Sequence, residues 1–250
     1  MRESGGVTER GERREAAPGE ATAERVRGIF SNIARRYDLL NILMSFGLDR
    51  LWRRATVRMA APKPGERVLD LCAGTGDLAL ALARDGKAAE VVGTDFVPEM
   101  LAVAERKLER YHGETKVEFR AADAQALPFP DESFDAVTVG FGVRNLPDRP
   151  ANFREVLRVL RPGGRYLILE FSTPPNRVWR SLYRAYNHTA VPFLGGLIAG
   201  DRTSYEYLNR SILRFPDQQR LAAELLEAGF SDVTWRNLTG GIVAVHRAVR

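Results

Sequence analysis

Between residues 24 and 59 the apolar positions recur at spacings of three and four. Val26, Ile29, Phe30 and Ile33 form one stripe, and Leu39, Leu40, Ile42 and Leu43 continue it, which predicts amphipathic helices. Ser45-Phe46-Gly47 interrupts the pattern before Leu48 to Met59. After the turn Pro62-Lys63-Pro64-Gly65 the period changes. Short apolar runs at Val68 to Cys72, Val91 to Asp95, Val117 to Ala121, Phe134 to Gly140 and Arg165 to Phe171 read as strands. Helical segments stand between most of them, at Leu78 to Arg84, Glu99 to Tyr111 and Arg149 to Leu160. This alternation predicts a mostly parallel sheet covered by helices on both faces. The stretch from about 173 to 215 breaks the alternation with Pro174-Pro175, several aromatics and the apolar run Ala190 to Gly200. Eleven residues are too few to span a bilayer, so a helical insertion covering a substrate is expected. An amphipathic helix, Gln218 to Ala228, then precedes a hairpin, about Ser231 to Leu238 and Ile242 to Ala248, around Gly240-Gly241. Residues 1–23 show no periodicity and interleave four Arg with five Glu. A transit peptide lacks such acids, so a disordered tail is expected. Residues 24–250 are expected to form a single domain, with residues 24–60 either a lid over the ligand site or a packing helix.

Composition narrows the picture only a little. The chain of 250 residues is 44% hydrophobic and 28% charged, ordinary for a globular domain with a sizeable core. A net charge of +5 permits contact with an anionic membrane or nucleic acid without requiring either. The single cysteine, Cys72, excludes an internal disulfide and a multi-cysteine metal site. With no signal peptide or long apolar span, the cytoplasm is the expected location, with the inner face of the cell membrane as the expected working surface.

The chemistry concentrates around Val68 to Leu82. A buried strand there ends in Gly74-Thr75-Gly76 and opens directly into a helix, the usual cradle for a nucleotide-like ligand. A diphosphate wants bare N–H groups and a positive helix end. Asp70 in the strand and Asp77 at the helix start would repel it, yet they suit a ligand carrying an ammonium and a sulfonium, such as S-adenosylmethionine. Asp95 ends the next strand 19 residues after Gly76, where an acid accepts hydrogen bonds from ribose hydroxyls. The plainer alternatives are a helix cap for Asp77 and a strand-end cap for Asp95. Asp123-Ala124 follows the third strand at its C-terminal end, where ligands bind in open α/β sheets.

Several further blocks carry a family resemblance. They include Phe30-Ser31-x-Ile33-Ala34-x-x-Tyr37-Asp38-Leu39-Leu40-Asn41, Ser45-Phe46-Gly47-Leu48-x-x-Leu51-Trp52-Arg53 and Asp70-Leu71-x-x-Gly74-Thr75-Gly76-Asp77. Downstream stand Asp123-Ala124-x-x-Leu127-Pro128-Phe129, Phe141-Gly142-x-Arg144-Asn145, Leu169-Glu170-Phe171-Ser172 and Gly240-Gly241-Ile242-Val243-Ala244-x-His246-Arg247. With these blocks the chain, from about Val26 onward, resembles the ubiquinone/menaquinone biosynthesis C-methyltransferases, most of all their demethylmenaquinone methyltransferase branch. The resemblance implies a class I, Rossmann-like fold with a seven-stranded sheet and a C-terminal antiparallel hairpin. It implies methyl transfer from S-adenosylmethionine to a ring carbon of a polyprenyl demethylmenaquinol, with no nucleic-acid partner. Oligomeric state is left open, a homo-oligomer included. Cofactor positions map onto Thr75, Asp95 and Asp123-Ala124, joined by Asp70, Gly74, Gly76, Tyr37 and Asn41. Gly140 departs from the ubiquinone-forming bacterial relatives, which carry Ser there, and so leans toward the menaquinone branch.

The residues after the fourth strand fit such a reaction. Carbon methylation of a pyrimidine generally needs a cysteine nucleophile, and the one cysteine lies in the cofactor strand. An Asn/Asp-Pro-Pro-Tyr sequence for amine methylation is absent. Arg144 can stabilise a developing phenolate and Asn145 can orient it; their structural alternative is to pin the loop through carbonyls. Arg stays protonated and is a poor base. For the proton acceptor, His188 has a suitable intrinsic pKa, with Asp201 and Tyr205 as alternatives; His112 and His246 are unpromising. Trp52, Trp179 and Trp235 are expected to pack rather than stack on a quinol. The run Val191 to Ile198, with Arg177, Arg180, Arg184 and Arg202, is expected either to line a groove for the prenyl tail at an anionic membrane or to form a buried helix.

Overall fold

The structure is a computed structural model, and it describes residues 22–34, 36–186, 189 and 202–250. Seven strands form one sheet: β1 (Arg67–Leu71), β2 (Glu90–Asp95), β3 (Lys116–Ala121), β4 (Phe134–Gly140), β5 (Leu160–Phe171), β6 (Ser231–Leu238) and β7 (Val243–Val249). Their order is β3-β2-β1-β4-β5-β7-β6. The first five run parallel, and β7 pairs antiparallel with both β5 and β6. The expected sheet and its terminal hairpin are therefore both present. β5 begins earlier than expected, because Leu160 pairs with Phe134 before the Pro162-Gly163 turn shifts the register to Ala136–Arg165.

Nine helical segments are described: α1 (Ala23–Ile33), α2 (Tyr37–Ser45), α3 (Leu48–Ala60), α4 (Asp77–Asp85), α5 (Pro98–Leu108), α6 (Arg149–Val159), α7 (177–186), α8 (Arg202–Arg214) and α9 (Gln218–Ala228). α1 starts one residue before the expected edge of the tail, because the Thr22 hydroxyl caps it by accepting from the Arg25 amide. The rest of the tail, residues 1–21, lies outside the described residues.

Two apolar clusters hold the sheet between its helices. One gathers Phe153 and Val156 of α6 and Leu221 and Leu225 of α9 against Leu69, Val137 and Ile168. The other gathers Trp52 and Val57 of α3 and Leu78 and Leu82 of α4 against Val68, Ala136 and Leu167. Neighbouring strand residues such as Val68 and Leu69 thus face opposite helices. This period of two explains why the strands read as nearly continuous apolar runs.

Chain direction across the sheet reverses between β1 and β4, since the path moves outward to β2 and β3 and then returns. Ligands bind outside the strand ends at such a switch point. The loops after β1 and β4 meet there. A Cβ on Gly142 would lie 2.5 Å from the Cβ of Cys72, so only glycine lets these two loops approach so closely.

Candidate active site

Register places the first acid of the cradle. Asp70 on β1 pairs with Thr138 on β4, and the Thr138 hydroxyl donates to Asp70 Oδ1 at 2.6 Å. The side chain is 1% exposed, and Oδ2 is buried without a hydrogen-bond partner. Burial pushes the carboxyl up to about 7, against the pull of Thr138, Arg53 and the Ala79 amide. A buried acceptor with no donor is costly, and a cationic ligand group would satisfy it.

The glycine loop then turns through positive φ at Gly74 (55°) and Gly76 (82°). Gly76 caps α4 from the left-handed region, and a Cβ there would stand 2.7 Å from the Phe119 ring. Asp95 holds the loop from β2. Its Oδ2 accepts from the Gly74 amide at 2.8 Å and its Oδ1 from the Val97 amide at 2.9 Å. Burial raises its pKa while these amides pull it down. Each carboxylate oxygen keeps a second lone pair, so Asp95 can fasten the loop and still accept from a ribose. Asp123 is exposed, with Oδ1 accepting from the Gln125 amide and side chain. Ala124 is buried, its carbonyl fixed at 2.7 Å by Asn152 Nδ2.

Asp77 stands in the first turn of α4 and meets two cations of the protein itself. It does not cap α4 through its side chain; Lys107 Nζ lies 2.6 Å from its Oδ1, and Arg53 approaches at 3.7 Å. Asp77 thus shares Lys107 and Arg53 with Asp38 and Asp49, whereas Asp70 keeps an oxygen with no hydrogen-bond partner. Lys107 also reaches Asp38 Oδ2 at 2.6 Å, and Asp38 Oδ1 accepts from the Thr75 hydroxyl at 2.6 Å. This chain of ions ties α2 and α3 to the glycine loop. Lys107 was missed in the sequence because its partners lie 30 and 69 positions away.

Beside the cradle opens a cavity of about 410 Å³. Tyr37 and Asn41, assigned to the cofactor by resemblance, stand in its wall with Arg144, Asn145, Trp52 and Trp179. Tyr37 hydrogen bonds with the Asn41 side chain, and burial raises its pKa. Trp52 and Trp179 thus pack and line the cavity at once. The Thr239 hydroxyl accepts from Trp52 Nε1 at 2.8 Å, and the Thr239 carbonyl accepts from Trp179 Nε1 at 3.2 Å.

Arg144 lies on the short helical turn after β4. Its NH1 donates to Glu170 Oε1 at 2.8 Å and to the Phe141 carbonyl at 2.5 Å. The side chains of this pair are 4% and 1% exposed. Glu170 also accepts from the Phe171 and Arg144 amides. Burial raises its pKa, and Arg144 pulls against that. Arg144 Nε is buried without a partner, while the guanidinium sits 5.3 Å from the centre of the Phe171 ring. Arg144 therefore pins its loop while its Nε donor stays unspent. Asn145 Nδ2 donates to the same Phe141 carbonyl, and its Oδ1 accepts from the Tyr207 hydroxyl at 3.3 Å.

Of the candidate proton acceptors, His188, Asp201 and the Tyr205 side chain lie outside the described residues, as does the run Val191 to Ile198. His112 is exposed. His246 is buried in β7 against the Gln218 carbonyl and pushed down to about 4 by burial. No group of acids, histidines and cysteine fit to hold a metal occurs among the described residues, nor is any helix among them long and apolar enough to cross a membrane.

Comparison with known proteins agrees with this geometry. The model of the ubiE/COQ5 methyltransferase family matches residues 19–250. A Thermus thermophilus protein named demethylmenaquinone methyltransferase is 51% identical over 218 residues, covering 87% of this chain and 98% of its own. A Pseudomonas putida protein named ubiquinone/menaquinone biosynthesis C-methyltransferase UbiE is 45% identical over 234 residues, covering 93% of this chain and 91% of its own. The crystal structure of the [4+2]-cyclase SpnF superposes with a TM-score of 0.67 at 18% identity, covering 95% and 99% of the two chains. At that identity the likeness concerns the fold alone.

Proposed function

The chain belongs to the ubiE/COQ5 methyltransferase family, with S-adenosylmethionine as its cofactor, and from that premise we propose that it methylates a ring carbon of a polyprenyl demethylmenaquinol to give menaquinol. The observation that carries this reading is the aromatic cavity beside the cradle, with Arg144 and Asn145 in its wall. Such a cavity suits a flat, apolar ring with polar edges.

The cradle residues fit the cofactor. Asp70, with its orphaned oxygen, would take the ammonium; Asp95 would take the ribose, and Asp123-Ala124 would flank the base. When bound, the cofactor supplies an electrophilic methyl group on a sulfonium. The rest falls to the cavity, where holding the ring in line with that methyl supplies much of the rate. Negative charge on a quinol oxygen passes into the ring and makes the neighbouring carbon nucleophilic. The unspent donor of Arg144 would stabilise that charge, with Glu170 as the residue that positions it.

The ring type is the finer part of the proposal. The Thermus relative is named for the naphthoquinol reaction and the Pseudomonas relative for both quinone classes. Gly140 favours the former through the resemblance, since the ubiquinone-forming bacterial relatives carry Ser there; a Cβ at this position would stand 3.2 Å from the Leu78 side chain. Offering reduced demethylmenaquinol and a polyprenyl benzoquinol in competition tests this. Menaquinol should be the main product, and preference for the benzoquinol would refute the assignment.

The same reading puts the enzyme at a lipid surface, at the inner face of the cell membrane. Phe46, 78% exposed, and Leu182, 57% exposed, line the cavity and face solvent, and α7 carries three arginines and no acid. Binding to anionic vesicles should weaken with added salt; binding indifferent to salt would remove the electrostatic part.

A further inference from the structure

The proposed reaction needs a group to take the quinol hydroxyl proton, and the geometry points to Asp49. This inference rests on the function proposed above. Asp49 is the only carboxylate among the described residues lining the cavity, and it is 5% exposed. It stands at the second position of α3, directly after the Ser45-Phe46-Gly47 break, where Gly47 takes φ 75° to start the helix. A helix N-terminus favours a carboxylate. Its Oδ1 accepts from the Ser45 hydroxyl at 3.1 Å, and its Oδ2 accepts from Arg53 NH1 at 2.5 Å. These bonds fix the carboxylate plane and leave one lone pair on each oxygen.

The other polar groups on the wall are poorer acceptors. Arg53 and Arg144 stay protonated. Tyr37 is a phenol whose pKa burial raises, as it does for Tyr186 and Tyr207 across the cavity on α7 and α8. Glu170 lies behind Arg144, outside the lining. Asp38 and Asp77, which pair with Lys107, also lie outside the lining. Asp49 is linked to the start of α4 beside the cofactor loop, since its partner Arg53 approaches Asp77 at 3.7 Å.

The step balances as follows. Asp49 takes the hydroxyl proton, and the oxygen's electron pair forms the ring carbonyl while the ring carbon bonds to the methyl. The methyl's bond to sulfur breaks, and its electron pair stays on sulfur. The methylated carbon then loses its hydrogen as a proton to water, while Asp49 returns its proton to the oxygen and restores the aromatic ring. One proton is released overall, and Arg53 and Arg144 remain cationic beside the oxygen throughout.

The test is D49N assayed with demethylmenaquinol under reducing conditions, beside the unsubstituted protein. The expected kcat falls on the order of 10²- to 10⁴-fold, with cofactor Kd by calorimetry unchanged. D49E should recover part of that loss. A chlorinated quinol, whose hydroxyl ionises more readily, should narrow the gap between D49N and the unsubstituted protein at least tenfold; a merely structural role would leave that ratio constant. Should D49N not fold, D49E carries the test through its kcat at unchanged melting temperature. D49N activity within threefold of the unsubstituted protein, or an unmoved ratio, would overturn the assignment. If the unsubstituted protein itself left the quinol unmethylated, the proposed function would fail and this assignment with it; an active unsubstituted protein with an equally active D49N would condemn Asp49 alone.

Discussion

The cradle and the cavity lie side by side and are built in opposite ways. The cradle comes from one short stretch, Asp70 to Asp77, closed by Asp95 from the next strand. Its loop is held by backbone amides, its outer acid is neutralised by Lys107, and one buried oxygen, Asp70 Oδ2, is left over. The cavity draws on α1, α2, α3, α7, α8 and the turns after β4 and β6, and its charges sit in pairs, Arg144 with Glu170 and Arg53 with Asp49. The difference separates their tasks: the cradle's leftover acceptor is a binding feature, while the cavity's paired charges are arranged to meet charge that develops during reaction. Substitutions in the first should move affinity, and those in the second turnover.

The largest expected effect concerns the buried pair. Glu170→Ala leaves Arg144 buried without its partner, and breaking such a pair costs about 3–5 kcal/mol. Denaturant unfolding should show that loss; a change under about 1 kcal/mol would mean that Arg144 is not held by Glu170.

A milder change in the same place separates the two regions more sharply. Arg144→Lys keeps the charge but loses the planar fork. Turnover should drop more than about tenfold, or about 1.4 kcal/mol in the barrier, while cofactor affinity stays put. Equal losses in both would erase the division of labour.

The cradle has its own signature in pH. Asp70 is raised to about 7 in the ligand-free protein, above its ordinary value, so the folded state holds this proton more tightly than the unfolded chain. This group therefore costs stability as pH rises from about 4 to 7. A cationic ligand pairs only with the ionised form, so cofactor affinity should strengthen as pH climbs through 7, with a proton released on binding below it. Calorimetry in buffers of different ionisation enthalpy would read that proton. Asp70→Asn should weaken binding and abolish this component, and an unchanged pH profile in the variant would show that Asp70 does not face the cofactor's cation.

The same contrast explains what could be read from the chain beforehand. The strands and the glycine loop were legible because their signals are local: buried runs of period two, and Gly74-Thr75-Gly76 between a strand and a helix. Asp70 and Asp95 could be picked out because one lies just before the end of β1 and the other ends its parallel neighbour β2. The cavity was hidden because nothing local joins Trp52 to Thr239, or Arg144 to Glu170. Asp49 and Arg53 offered one local clue, their spacing of four on an amphipathic helix, but that spacing usually marks a surface pair. The partner of Asp77 was hidden for a related reason: Lys107 stands 30 positions away on α5.

The central claim is that the cavity activates a reduced ring for attack through carbon. It is tested most directly by incubating the protein with trideuteromethyl-labelled cofactor and either demethylmenaquinol or its oxidised quinone, then locating the label by mass spectrometry. The account predicts label on the ring carbon next to a hydroxyl, with the reduced substrate alone. Label on an oxygen, or equal labelling of the quinone, would contradict it.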